Sequence, residues 1–173
     1  MLTITSARVP ASFDNYVKSN KETELVPALK DSLKQFRKLF KTISSKQSNT
    51  SYAEGKWTLK VLLQHVIDAE RVFVYRAVRF ARKDSTPLPP FEEKDWAANS
   101  MVSHRKWKDM IDEFEMLRKS SIAFFESLND EQLNQVGVAS GNEINVVGLG
   151  FVIAGHSIHH CKIIKERYVP AMR

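Results

Sequence analysis

Apolar side chains recur at three- and four-residue intervals in four segments of this 173-residue chain. That spacing places them on one face of a helix, so it predicts four amphipathic helices over about residues 22–44, 58–82, 104–128 and 145–169. A shorter helix is expected around residues 13–17. Thr58 is the expected N-cap of the second helix, and Pro170 is expected to end the fourth because proline cannot continue a helix.

The connection between the second and third helices is long and rich in proline. It reads KDSTPLPPFEEKDWAANSMVS, with Pro87, Pro89 and Pro90 within four positions. A tight antiparallel hairpin needs far fewer residues, so this length permits a crossover that leaves helices two and three parallel. Glycine and proline number only six each, which also favours helix over sheet. We therefore expect an all-α fold, a four-helix bundle with a long crossover between helices two and three, in a single domain over residues 1–173.

Composition and charge narrow the functional classes. The formal net charge is +6 and the pI about 9.4, but the basic residues are mixed with acidic ones along the helices, so nucleic-acid binding is not predicted. The single cysteine excludes an internal disulfide and suits a reducing compartment. Neither a signal peptide nor a membrane-spanning run is expected. The expectation is a cytoplasmic protein without a membrane partner.

Three of the five histidines stand within one heptapeptide of the fourth helix, GHSIHHC. His156 and His160 are four residues apart, so their side chains are neighbours on the helix surface, with Cβ atoms roughly 5–6 Å apart. His159 also stands at an allowed spacing from His156, but it lies about 100° around the helix from His160. Either pair can bind one metal ion, and the helical spacing alone does not choose between them.

Another histidine, His65, lies on the second helix in the segment LLQHVIDAER. Its helix face is apolar, as is the face of His156 and His160, so both faces are expected to point into the bundle. Three imidazole ligands would leave coordination positions open for water or substrate, as catalytic metal sites do. They suit zinc or nickel, and also iron, cobalt or manganese. The alternative is a set of hydrogen-bonded core histidines, and the HExxH motif of metalloproteases is absent.

Three stretches of the chain resemble the DinB/YfiT-like family. EGKWTLKVLLQHVIDAERVFVYRAVRFARKDSTPLPPFEEKDW is similar to that family's second helix and the loop after it, and GFVIAGHSIHHCKIIKERY looks like its last core helix. The opening PASFDNYVKSNKETELVPALK is similar to the start of a bacterial branch. The resemblance implies a four-helix bundle with a crossover, and a divalent metal held by one histidine of the second helix and an HxxxH pair of the last. Those positions match His65, His156 and His160 here, which would leave His159 as a neighbour of the site.

The resemblance implies a metal site rather than one reaction. Proteins of this fold include thiol-dependent S-transferases that use bacillithiol or mycothiol, a mycothiol-dependent isomerase, proteins described as metal-dependent hydrolases, and proteins named for induction by DNA damage. Our leading expectation is a thiol-dependent S-transferase with a small-molecule substrate, in which the metal stabilises the thiolate of a low-molecular-weight thiol. The alternatives are a metal-dependent hydrolase that activates water, a non-catalytic metal-binding bundle, and a DNA-associated protein.

Several residues near the histidines carry further expectations. Arg76 stands eleven residues after His65, about 16 Å along the same line of the helix. It is the candidate substrate-binding residue because it could hold a carboxylate bidentately; an internal ion pair is the alternative. Asp68 could orient a ligand imidazole or face solvent, and Glu70 lies on the opposite side. Cys161 points away from His160 and is expected to be a small buried hydrophobe.

The second and fourth helices each carry a second apolar face. These faces comprise Leu63, Ile67, Val74 and Val78 on the second helix and Val147, Phe151, Ala154 and Ile158 on the fourth. A helix that is apolar on two sides must be covered on both. We therefore expect a homodimer packed through helices two and four, the alternative being coverage by the N-terminal segment and the long loop.

Overall fold

The computed structural model describes residues 2–172, and most of them are helical. In chain order the elements are α1 (Asp14–Lys18), α2 (Leu25–Phe40), α3 (Leu59–Ala81), α4 (Glu93–Ala98), α5 (Trp107–Glu126), α6 (Asp130–Asn134), β1 (Val136–Ala139), β2 (Asn142–Asn145), α7 (Val146–Ile163) and α8 (Val169–Ala171). A π-helical turn, Ile164–Tyr168, joins α7 to α8. The predicted four-helix bundle is confirmed, since α2, α3, α5 and α7 lie in the four predicted segments.

The long helices run in two directions. Contacts advance in the same direction along α3 and α5: Gln64 meets Arg105, just before α5 begins, and Glu70 meets Ser121 within α5, so these two helices are parallel. Contacts between α2 and α5 run in opposite order, from Lys30 with Glu126 to Arg37 with Glu115. The parallel pair explains the long crossover, because the chain must return along the bundle between the end of α3 and the start of α5.

The ends of two helices test the sequence predictions. The hydroxyl of Thr58 accepts a hydrogen bond from the backbone N–H of Val61 at 3.3 Å, which confirms the predicted N-cap of α3. Pro170 does not end the last helix, because the helical run continues to Ala171. Pro170 stands in the first turn of α8, directly after the π-helical turn.

The run Val146–Ala171 is long and apolar enough to cross a membrane by length and composition, which differs from the sequence expectation. Within the protein, however, 72% of its apolar window is buried. Its small residues let other segments approach closely: a Cβ added to Gly155 would lie 1.9 Å from the carbonyl oxygen of Tyr16. The apolar composition of α7 is therefore explained by its position as the central helix of the bundle.

A two-stranded hairpin was not predicted from the sequence. β1 pairs antiparallel with β2 across the turn residues Ser140 and Gly141, which both have positive φ, at 52° and 75°. Positive φ at both central residues is typical of a two-residue hairpin turn. The hairpin also binds the proline-rich connection, since Leu88 donates to the carbonyl of Val138 and accepts from the N–H of Ser140, each at 2.9 Å. It thereby holds the start of the crossover against the bundle.

A buried ion pair joins all four long helices. Arg118 of α5 donates to both carboxylate oxygens of Glu70 on α3, at 2.8 and 2.9 Å, and both side chains are almost fully buried. The same guanidinium donates to Ser32 on α2 and, on α7, to the hydroxyl of Ser157 and the carbonyl of Ile153. Apolar clusters lie on either side of this polar layer. The layer fixes the axial positions of the four helices relative to one another, because a shift of any one would break a buried charged hydrogen bond.

The second apolar faces of α3 and α7 are largely covered within one chain. Leu63 and Ile67 are fully buried, as are Val147, Phe151 and Ala154, whereas Val78 remains 36% exposed. α7 packs against α1, α2 and α3, so most of its circumference is already covered. The argument that led to a homodimer therefore no longer requires a second subunit, and the dimer stays a prediction.

We expect Arg118→Ala to lower the free energy of unfolding by about 3–5 kcal/mol, because it leaves the Glu70 carboxylate buried without its partner. Arg37→Ala is the matched control: it removes another cation that pairs with an acid on α5, but the Arg37–Glu115 pair is partly exposed and should contribute about 1 kcal/mol or less. Urea unfolding followed by circular dichroism measures both. Equal losses in the two variants would contradict the importance of the buried layer.

Candidate metal centre

The structure brings His65, His156 and His160 together. Nε2 of His156 lies 3.1 Å from Nε2 of His65 and 3.0 Å from Nε2 of His160. One nitrogen from each ring lies within 4.8 Å of the other two. The rings meet edge to face, with centroids 4.5–5.0 Å apart. α3 and α7 thus point three ring nitrogens at one another in the interior of the bundle.

Hydrogen bonding alone does not explain this arrangement. A neutral imidazole nitrogen has either one N–H or one lone pair, directed in the ring plane. Nε2 of His156 can therefore form one well-aligned hydrogen bond, yet two ring nitrogens lie within hydrogen-bonding distance of it. Nitrogen ligands bonded at about 2.0–2.1 Å to one metal ion lie roughly 3.0–3.4 Å apart, which matches the distances from His156 to His65 and to His160. Three neutral imidazoles also form a donor set suited to zinc and its neighbours in the first transition row.

Burial keeps the three imidazoles neutral. Desolvation lowers the pKa of His65 and lowers those of His156 and His160 well below the ordinary histidine value. The positive charge that protonation would place on neighbouring histidines lowers the pKa of His156 and His160 further. For His65 the carboxylates of Glu93 and Asp68 act in the opposite direction. A neutral ring offers the lone pair that a metal requires, so the environment favours the form able to act as a ligand.

His159 lies beside this cluster, with its ring edge-on to that of His160 and the centroids 5.2 Å apart, but it is not one of the three converging rings. Its ring packs edge-on against Tyr16, with centroids 5.3 Å apart, and it lines a separate surface cavity with Lys18 and Lys162. Tyr16 also packs against His156 at the same centroid distance. The structure therefore groups His160 with His156 and His65, a choice that helical spacing had left open.

Two cavities adjoin the histidines. One, of about 330 Å³, is lined by His65 and His156 and extends to Arg76. The other, of about 430 Å³, is lined by His160. Its remaining polar and aromatic walls include Tyr52, Lys56, Trp57, Lys94, Arg167 and Tyr168. Glu93, the first residue of α4, lines both cavities, so the crossover contributes a wall that they share.

Arg76 is buried, with 4% of its surface exposed. Nη2 donates to the carbonyl of Pro89 at 2.9 Å and to the hydroxyl of Ser140 at 3.1 Å. Among residues 2–172 it forms no ion pair, so the internal pair considered as the alternative is absent from the described part of the chain. Burial without a counterion lowers the pKa of Arg76.

The other expectations near the site have separate outcomes. Asp68 accepts from Gln64 and Arg71 rather than from a histidine, so it is not placed to orient a ligand ring. Glu70 lies away from the histidines, as expected, but it is buried in the polar layer. Cys161 is 2% exposed within the core, and burial raises the pKa of its thiol to about 12, which confirms that it is a buried hydrophobe.

Sequence reasoning missed three side chains beside the histidines. Tyr16 comes from α1, Trp57 packs on His65 with centroids 5.2 Å apart, and Glu93 comes from the crossover. Burial raises the pKa of Tyr16, and the negative charge of Glu93 raises it further. Tyr16 lies near the N-terminus and had no spacing signal. The family resemblance was the available signal, because Tyr16 falls in the stretch PASFDNYVKSNKETELVPALK, and Trp57 and Glu93 fall in the stretch that begins EGKW and ends FEEKDW.

Comparison with known proteins places the chain among metal-dependent relatives. A protein of Oceanobacillus iheyensis that carries the name "Putative metal-dependent hydrolase" is 26% identical over 126 residues, which are 72% of each chain. A protein of Geobacillus kaustophilus with the same kind of name is 23% identical over 139 residues, 79% of this chain and 78% of that protein.

Fold comparison agrees with the sequence comparison. The structure of YfiT from Bacillus subtilis, characterised as "a probable metal-dependent hydrolase with an unusual four-helix bundle topology", matches with a TM-score of 0.72 and 16% identity. The match covers 94% of this chain and 90% of that one, and it shows a shared fold. The sequence model of the DinB superfamily matches residues 28–164, well over half of the chain. The chain therefore belongs to the DinB superfamily.

Proposed function

We propose that the protein is a divalent-metal enzyme that acts on a small molecule and that His65, His156 and His160 are its metal ligands. The observation that carries this proposal is the convergence of three Nε2 atoms at the junction of two cavities. A purely structural metal site is closed, whereas a catalytic one keeps a position open beside its protein ligands. Three ligands next to two cavities are typical of a catalytic site.

The metal would supply acidity to a bound nucleophile, because a coordinated thiol or water loses its proton near neutral pH. The protein supplies the conditions for this. Burial holds the three imidazoles neutral, and among residues 2–172 no carboxylate joins the histidine cluster. Glu93 lies beside both cavities and is the carboxylate best placed to accept the proton that the nucleophile releases.

The two cavities support a reaction between two small molecules, and we infer a thiol-dependent S-transferase. The cavity at His160 has three cationic side chains, Lys56, Lys94 and Arg167, together with aromatic walls. Such a lining suits an anionic low-molecular-weight thiol. The cavity at His65 and His156 is separate and would receive the electrophile. A hydrolase, whose second reactant is water, needs only one of these spaces.

The hydrolase remains the second candidate. The names of the bacterial relatives favour it, since both contain the words metal-dependent hydrolase.

Three nitrogen donors favour zinc or nickel, with iron, cobalt and manganese as further candidates. A single domain, a cytoplasmic location and a homodimer through α3 and α7 remain predictions from the sequence.

We expect purified wild-type protein to contain close to one equivalent of divalent metal, and His65→Ala, His156→Ala and His160→Ala to lose most of it, because two imidazoles bind far more weakly than three. Elemental analysis of each purified variant measures this. His104→Ala removes an exposed histidine and serves as the control that keeps its metal. His159→Ala should also keep it, because His159 packs beside the cluster without belonging to its three converging histidines. Metal retained in the three cluster variants would contradict the proposal.

We expect the metal-loaded protein to consume an electrophile such as monochlorobimane only when a thiol is added, with cysteine, bacillithiol, mycothiol and glutathione tested in turn. Chelator-treated protein should be inactive. Turnover of p-nitrophenyl esters without any thiol would instead support the hydrolase. Bound metal without either activity would support a non-catalytic metal-binding bundle.

The same assay tests the proton acceptor. Glu93→Gln should lower kcat by about a hundredfold or more while the metal content stays unchanged. Asp95→Asn is the matched control, because Asp95 is an exposed carboxylate of the same helix that lines neither cavity. An equal effect of both variants would exclude a specific role for Glu93.

A further inference from the structure

Arg76 is a buried cation that forms no ion pair with any of residues 2–172. Its guanidinium donates to two neutral groups, the carbonyl of Pro89 and the hydroxyl of Ser140. Within residues 2–172 the other buried arginine, Arg118, pairs with Glu70. Burying an unpaired charge costs considerable free energy. The contrast points to an anionic partner for Arg76 from outside the described part of the chain.

The surroundings of Arg76 leave part of its guanidinium free to bind a ligand. Both bonds to Pro89 and Ser140 come from Nη2, so among the described residues Nε and Nη1 have no hydrogen-bond partner. The ring of Phe91 lies 6.0 Å from the guanidinium carbon and covers it on one side. The proline-rich connection and the hairpin turn therefore hold the side chain from two directions. A guanidinium fixed in this way can donate a charged hydrogen bond from Nε or from Nη1 to an anion in the cavity.

The cavity beside Arg76 leads to the metal ligands. It has a volume of about 330 Å³ and is lined by Arg76, His65 and His156. Phe13, Phe73 and Phe91 form apolar walls between these polar groups. Its size falls at the lower end of small-molecule pockets. Glu92 and Glu93 also line it, and their charges would repel a second negative group near them.

We propose that Arg76 binds the carboxylate of a small, largely apolar monoanionic substrate, whose other end reaches His65 and His156. This assignment rests on the proposed function for the reaction at the histidines and names the substrate class of that site. The carboxylate neutralises the buried guanidinium, and the three phenylalanines contact the apolar part. A substrate without the carboxylate leaves the Arg76 charge buried and unpaired, so the enzyme selects against it.

Binding to metal-free protein tests the proposal independently of catalysis. Hexanoate is the probe and hexanamide its neutral counterpart, both titrated by NMR into chelator-treated protein, so that the carboxylate cannot bind through a metal. Wild-type protein is expected to bind hexanoate at least about tenfold more tightly than hexanamide, as a charged hydrogen-bonded pair provides. Arg76→Met should remove this preference, and Arg76→Lys should keep part of it because it retains the charge but not the planar fork.

Arg82→Met is the matched control, because Arg82 follows α3 and is exposed. It should bind both probes as the wild type does. Elemental analysis of Arg76→Met should show the wild-type metal content, which separates failure of this proposal from failure of the metal site. The proposal is overturned if wild-type protein does not prefer hexanoate, or if Arg76→Met retains the preference.

Discussion

The Arg118 guanidinium determines how the four long helices stand relative to one another. It is bonded to α2 and α7 and forms a bidentate pair with Glu70 on α3. Ser157, one of its acceptors, directly follows His156, and Glu70 lies five residues after His65 in the same helix. The buried layer therefore sets the axial position of the two helices that carry the histidines. Apolar packing alone would tolerate small shifts of α7 that the charged hydrogen bonds exclude.

The sequence predicted the four helices and the inward direction of the histidines because both depend on local spacing. His65, His156 and His160 stand on apolar faces, and periodicity reveals such faces directly. The choice between His159 and His160 depended instead on the position of α3 and of Tyr16, which lies 140 residues or more away in the chain. The pairing of Glu70 with Arg118 has the same origin. A helical wheel shows which way a side chain points but not which helix it meets.

The elements that shape the cavities were the least predictable. Each strand of the hairpin has four residues, which is too short for a convincing period-two pattern, and only the Ser140–Gly141 pair marks its turn. Yet this turn supplies an acceptor to Arg76 and holds the proline-rich connection. The π-helical turn after α7 likewise has no sequence signal, and Arg167 of that turn lines the cavity at His160. Fold class thus follows from the helices, whereas specificity depends on the short irregular segments.

Charge balance links the proposed metal site at the histidines to the proposed carboxylate site at Arg76. Three neutral imidazoles cancel none of the charge of a divalent cation, and Arg76 adds a further buried positive charge at the other end of the same cavity. Glu93, an exposed residue of the crossover, is the nearby carboxylate that faces both cavities. Such an interior favours anions at both ends: a deprotonated nucleophile at the histidines and a carboxylate at Arg76. In this proposal burial would favour the ionised forms of the ligands, because a positive group shielded from water attracts a negative one more strongly.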